Sequence, residues 1–273
     1  MFESPRGRKR SLKRLLFNFR VFAFFWVSLR IKHMDQEKVT KFNKIRILDG
    51  TILKLIAMIS MVFDHVGDIF CPELLWPRMI GRLAMPIFSF CIAEGYLHTK
   101  NKNRYLLRMG IFAVISEIPF DLAFSGKIDI GHQNIMLTFF LSILGLKFFD
   151  MIRGEKDPQT GKYKRSKTVL GCMEIIGMSI IALVLKADYT VFAVIAVFLF
   201  YVLSDVNHIV RTGVGTAFLA LTRTMGYYCT TGLSIIPLLL YNGKKGKGLK
   251  WLFYVFYPGH LLILFVLKHY FIK

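Results

Sequence analysis

Acidic residues are scarce in this chain: 17 Asp+Glu stand against 37 Lys+Arg, a formal charge of +20 over 273 residues. Cysteines are also few. Cys71, Cys91, Cys172 and Cys229 are isolated from one another, which excludes zinc-ligand spacing and a disulfide framework and leaves single buried thiols. There is no Gly-rich phosphate loop and no internal repeat. No aromatic-basic module accompanies the positive charge, so nucleic acid is not the expected partner. No small-residue cleavage site follows the basic N terminus, so a cleaved signal peptide is not expected. No polar stretch is long enough for a soluble catalytic domain; residues 153–168, RGEKDPQTGKYKRSKT, make a loop. Any chemistry must therefore come from apolar segments and short connections.

Those apolar segments dominate. The chain is 54% hydrophobic and 15% aromatic, with mean hydropathy +0.48, and its apolar residues come in blocks of roughly 17–25, the length that crosses ~30 Å of hydrocarbon. The expected fold is all-α: a polytopic transmembrane helical bundle of about nine spans, near 48–70, 79–97, 105–124, 133–152, 169–186, 189–205, 211–223, 226–241 and 251–270. With the N terminus in the cytoplasm, 28 of the 37 Lys+Arg fall in or beside cytoplasmic segments and 6 at external ends. That asymmetry predicts an N-in, C-out protein, although a re-entrant seventh segment would turn the C terminus inward. Residues 1–46 read as a basic tail whose short apolar stretch, Leu15 to Leu29, is interrupted by Arg20. It is either an interfacial helix or an extension upstream of a start at Met34. Residues 47–272 read as the transmembrane domain.

Ionisable side chains inside hydrocarbon cost about 2.5–3.5 kcal/mol each, so they face the bundle interior, pair, or line a wet cavity. The first three spans concentrate them. LDGTILKLIAMISMVFDHVGDIF carries Lys54, Asp64, His65 and Asp68. Lys54 and His65 are eleven residues apart and share a face, and Asp68 lies nearly on it. MIGRLAMPIFSFCIAEGYL sets Arg82, Pro86 and Ser89 on one stripe, with Glu94 near the cytoplasmic end. YLLRMGIFAVISEIPFDLAF places Glu117 and Asp121 one turn apart around Pro119. In WLFYVFYPGHLLILFVLKHY, Tyr257 and His260 share a face across Pro258. Plainer readings stand beside these: Lys54 snorkelling to an interface, Asp68 and Glu94 solvated at helix ends, Arg82 paired structurally with Glu117 or Asp121, and His260 a packing histidine. His98, His132 and His208 are expected in solvated loops. His65, between two acids in an apolar span, is hardest to reduce to packing. No metal site is expected.

The stretches LKLIAMISMVFDHVG, IGRLAMPIFSFCIAEGYLHTKNKNRYLLRMGIFAVISEIPFDLAF and YNGKKGKGLKWLFYVFYPGHLLIL resemble the TraX family. That family is named for a conjugation protein that N-acetylates F-type pilin, and is grouped with family-3 acyltransferases and the lysosomal heparan glucosaminide acetyltransferase. The resemblance covers about residues 47–272 and implies an acyltransferase in a bacterial cell membrane. Acetyl-CoA would be the co-substrate, with no bound cofactor. The acceptor would be a protein N terminus, a glycan or a small molecule, and membrane lipids the other partner. It carries over the acyl-transfer histidine to His65 alone, as a general base or as a brief acyl-imidazole carrier. Around it, Asp64, Asp68 or Glu117 would orient the ring and Arg82 would steady a developing oxyanion. Lys54, Asp68, Glu94, Asp121, Tyr257 and His260 would line the substrate site. Lys100, Arg104, Lys244, Lys245 and Lys247 would attract CoA phosphates, although the positive-inside rule accounts for them without a ligand. The Arg-rich tail departs from the family pattern, and acceptor identity does not transfer. Intramembrane acids, a histidine and Pro-broken spans equally suit a proton-coupled transporter or flippase, and a non-catalytic scaffold is a third reading.

Overall fold

The computed structural model describes residues 45–222 and 229–271; the basic tail through residue 44 with its apolar stretch, residues 223–228 and the side chain of Cys229 lie outside the described residues. The described part is helical, with no strand in it. Eleven helices follow in order: α1 (Gly50–Phe70), α2 (Leu75–Gly81), α3 (Ala84–His98), α4 (Lys102–Ser125), α5 (Ile135–Arg153), α6 (Arg165–Val184), α7 (Thr190–Val202), α8 (His208–Thr222), α9 (Cys229–Leu233), α10 (Ile235–Leu239) and α11 (Lys250–Phe271).

The helix ends follow from local chemistry. Asp49 caps α1 by accepting from the backbone N–H groups of Thr51 and Ile52, each at 2.9 Å. Asn101 caps α4 and Asn134 caps α5 in the same way. Gly126 and Gly154 end those helices at φ +68° and +67°, where a Cβ would be strained. Pro86 has no N–H to offer the carbonyl of Arg82. The second span accordingly breaks at Arg82–Leu83, one turn before the proline, into α2 and α3. Pro237 sits likewise in the broken α9–α10 segment.

Four stretches are long and apolar enough to cross a bilayer: Leu75–His98, Ile135–Arg153, Arg165–Val184 and Trp251–Tyr270. The chain is a helical membrane protein. Helix α1 has 21 residues and α4 has 24, about 31 and 36 Å at 1.5 Å per residue, and both carry ionisable side chains along their length. Helix α3 is buried on all sides, with Ile87, Phe90, Ala93 and Tyr96 fully enclosed among α1, α5, α7 and α8. Helix α6 is its opposite: Met173, Ile176, Ile180 and Val184 are all more than half exposed, a surface suited to lipid.

Polar contacts gather at the two ends of this bundle. At one end Leu48 bridges to Tyr241, and the Gly50 N–H donates to the Lys244 carbonyl at 2.8 Å. Asp150 there accepts from Tyr96, Lys102, Arg153 and Tyr201. At the other end Gln133 bridges to Ala187, and Asp121 accepts from the Asp129 N–H at 2.9 Å. Cys91 is buried, while Cys71 and Cys172 are only half-buried.

Candidate active site within the bundle

His65 lies four turns along α1, and its ring partner is another histidine. Its Nδ1 is 2.8 Å from Nε2 of His260 on α11. The two rings lie within 13° of parallel, with centroids 5.0 Å apart. The Nδ1 of His260 is 2.9 Å from the carbonyl oxygen of Phe256, one turn earlier on its own helix. Phe124 of α4 meets His65 edge-on at 5.2 Å, and Tyr257 stands 5.6 Å from His260. His260 and Tyr257 are both buried.

The carboxylates face elsewhere. Asp64 points to the far side of α1, 3.8 Å from Arg78 and 3.9 Å from Arg82, and Asp68 pairs with Arg78. Helix α2 can approach this closely because residue 81 is glycine: a Cβ there would come within 2.2 Å of Asp64 Cβ. Arg82, buried at the α2–α3 break, also donates to the Tyr189 hydroxyl at 3.1 Å. Its partners are therefore Asp64 and Tyr189. Glu117 accepts from both the backbone and side-chain N–H groups of Asn134, so it secures the start of α5. Asp121, as above, fixes the loop before α5.

A cavity of about 630 Å³ enters between α1, α3, α4, α5 and α11. One end is lined by polar and basic residues, among them Lys54, Glu94, His98, Lys100, Arg108 and Lys245. The other is apolar, with Met61, Met136, Phe139, Phe256 and Tyr257. Met61 is one turn from His65 along α1, and Phe256 and Tyr257 are one turn from His260 along α11, so the cavity stops about one helical turn short of the histidine pair, and neither ring is among its lining residues. Lys54 lies over the Phe253 ring at 4.9 Å. Glu94 accepts from Arg211 at 2.6 Å and from the Tyr241 hydroxyl at 3.0 Å, and His98 approaches it at 3.3 Å.

Among the ten residues singled out from the sequence, the structure brings His65, His260 and Tyr257 together and sets Lys54 and Glu94 on the cavity wall. Asp64, Asp68 and Arg82 form a separate charged cluster behind α1. Glu117 and Asp121 bind backbone at the start of α5. Several contributors were not legible beforehand. Arg211 reads as one more basic residue at a span end, yet it is buried, donates to the Phe200 carbonyl at 2.6 Å and stacks over Phe90. His208 is not a free loop residue: its Nε2 donates to the Leu238 carbonyl at 2.8 Å and its ring meets Phe90 edge-on. His132 is exposed in the connection before α5, as expected, with its ring 5.3 Å from that of Phe120. Glu174, midway along α6, has neither carboxyl oxygen hydrogen-bonded among the described residues; an acid in an apolar run was the available signal. No group of three or more His, Cys, Asp or Glu among the described residues is arranged to hold a metal ion.

Sequence comparison places this geometry in a lineage. The chain is 29% identical over 238 residues, 78% of its own length and 92% of the relative's, to the "Probable fimbrial assembly protein FimC, serogroup H1" of Dichelobacter nodosus. It is 34% identical over 99 residues, 36% of each chain, to an uncharacterized protein of Rickettsia prowazekii (strain Madrid E). No solved structure matches it. The family model described as TraX protein matches residues 49–268, from the cap of α1 to the last turns of α11, and the chain belongs to the TraX family.

Proposed function

We propose that this protein is a membrane acyltransferase that carries an acyl group, acetyl in the leading case, from a CoA thioester to an amine or hydroxyl acceptor. One observation carries the reading: a cavity with a basic mouth narrows into an apolar wall and ends one turn from the His65–His260 pair. Its chemistry suits a donor with phosphates at one end and a pantetheine arm at the other. Lys54, Lys100, Arg108 and Lys245 supply charge at the mouth, and Met61, Met136 and Phe139 supply an apolar lining for the arm.

The orientation belongs to the same proposal. The mouth gathers the ends of α1, α3, α4 and α11 that carry the positive-inside charge, which assigns it to the cytoplasm and the Asp64–Arg78–Asp68 cluster to the far side. About nine crossings with the N terminus inside fit this arrangement in a bacterial cell membrane. His65 then stands between donor and acceptor. It takes the proton of the attacking nitrogen or oxygen as that atom bonds to the thioester carbonyl, the C–S bond breaks, and the thiolate leaves as the thiol after receiving the proton. The fimbrial assembly relative is consistent with an acceptor in a surface filament, presented from outside.

The test is acetyl transfer from radiolabelled acetyl-CoA by the purified full chain in liposomes, wild type beside His65→Ala. The variant should lose about 10²–10⁴-fold, the contribution of a positioned general base, with its thermal midpoint retained. Equal rates would remove His65 from the chemistry. A folded wild type inert toward acetyl-CoA and longer acyl-CoAs, with acceptor candidates present, would overturn the enzyme reading.

A second reading rests on Glu174. An acid in mid-span without a hydrogen-bond partner is a feature of proton-coupled transporters. Under that reading Glu174→Gln abolishes solute movement, whereas acyl transfer tolerates it.

A further inference from the structure

The histidine pair has a direction built into it. A carbonyl oxygen only accepts, so the His260 Nδ1 that lies 2.9 Å from the Phe256 carbonyl carries a proton. In the neutral ring its Nε2 is then a bare acceptor. That nitrogen faces the Nδ1 of His65 at 2.8 Å, so His65 must be the donor there. The proton on His65 is thereby fixed at Nδ1, and its Nε2 keeps the lone pair. We infer that His260 is a positioning residue that, anchored by the Phe256 carbonyl, locks His65 in the tautomer whose Nε2 is free to act as base. The consequence for catalysis rests on the acyl-transfer reading above; the tautomer itself does not.

The arrangement does what a carboxylate does behind a catalytic histidine, without bringing a charge into the span. When an acceptor N–H or O–H gives its proton to Nε2, the resulting imidazolium keeps its Nδ1–H directed at the His260 lone pair. The proton on Nε2 next passes to the departing thiolate, and both rings return to their starting forms. No proton is gained or lost over the cycle. The charged groups around the pair fit this division. Arg78 and Arg82 stand within electrostatic reach of His65, while Asp64 and Asp68 are engaged with those arginines and Glu117 with Asn134. Only His260 makes a hydrogen bond to the His65 ring among the described residues. On the α11 side, Tyr257 is the polar neighbour.

The experiment is nitrogen NMR of the full chain, isotope-labelled on its histidine rings and held in lipid nanodiscs. Signals are assigned by their disappearance in His65→Ala and His260→Leu. The wild type should show both rings protonated at Nδ1 and bare at Nε2. His260→Leu should move the His65 proton to Nε2, the form free histidine favours in water, and lower kcat with acetyl-CoA by about 10²–10⁴-fold, the share of a correctly set base, leaving KM unchanged. His260→Gln, whose amide oxygen can accept in place of Nε2, should return the His65 proton to Nδ1 and restore most of kcat. A wild-type His65 protonated at Nε2, or a His260→Leu protein whose His65 stays protonated at Nδ1, overturns the inference. If His260→Leu fails to fold, His260→Gln supplies the assignment of the His260 signals, as His65→Gln does for those of His65, and the wild-type spectrum then decides the point. Tautomers as drawn with no turnover of any acyl-CoA would leave the lock standing and sink the proposed function instead.

Discussion

The polar clusters inside this bundle are built on two opposite principles. Around Glu94, Arg211 and Tyr241, and around Asp150 with Tyr96, Lys102, Arg153 and Tyr201, each carboxylate accepts from several donors that come from different helices. Such groups are held because removing one member strands another in a medium that cannot solvate it. The His65–His260 pair is sparsely partnered: one hydrogen bond joins the rings, one anchors the second ring to backbone, and apolar surfaces do the rest. Saturated clusters fasten helices. The sparse one, in the tautomer inferred above, leaves the His65 Nε2 lone pair uncommitted, as the proposed chemistry requires.

The contrast breaks most sharply at Arg211. Arg211→Leu should cost about 3 kcal/mol, because the half-buried Glu94 is left without its buried cation, seen as a large fall in the thermal midpoint in detergent. A midpoint close to wild type would mean that Glu94 is solvated and its network no fastener. Gly81→Ala comes next. Its Cβ would collide with Asp64, an overpacking cost of about 1–3 kcal/mol, and by shifting α1 it should lower kcat beyond what the stability loss explains. An unaltered protein would show that α2 yields freely and that the charged cluster does not set the position of His65. The smallest effect is expected at Glu174. Glu174→Gln should stay within about 0.5 kcal/mol of wild type and keep acyl transfer, since α6 takes no part in the cavity. Loss of function there would move the transport reading ahead.

The sequence was most legible where a single helix carries the signal. Lys54 and His65 eleven residues apart, and Tyr257 and His260 across Pro258, share faces by the period of the helix alone. Pro86 announced the break at Arg82. The identity of partners across helices was not legible. Arg82 is expected to pair with Glu117 or Asp121 and instead meets Asp64, because spacing within one span cannot choose among acids on others. Arg211 escaped notice for a related reason. An arginine at a span end has the same sequence appearance whether it faces headgroups or turns inward to bind a half-buried glutamate.

The sequence by itself determined that this chain is a helical membrane protein of the TraX family. Apolar run length, helical period and residue order are local properties that survive without a fold. Tertiary structure alone decided that His65 faces His260 rather than an acid, that Glu117 serves the start of α5, and that a cavity reaches to within about one helical turn of the histidines. Those outcomes depend on the rotation and contact of helices far apart in the chain, such as α1 and α11 with 195 residues between their histidines. Such rotations are settled by the packing of every helix against its neighbours at once.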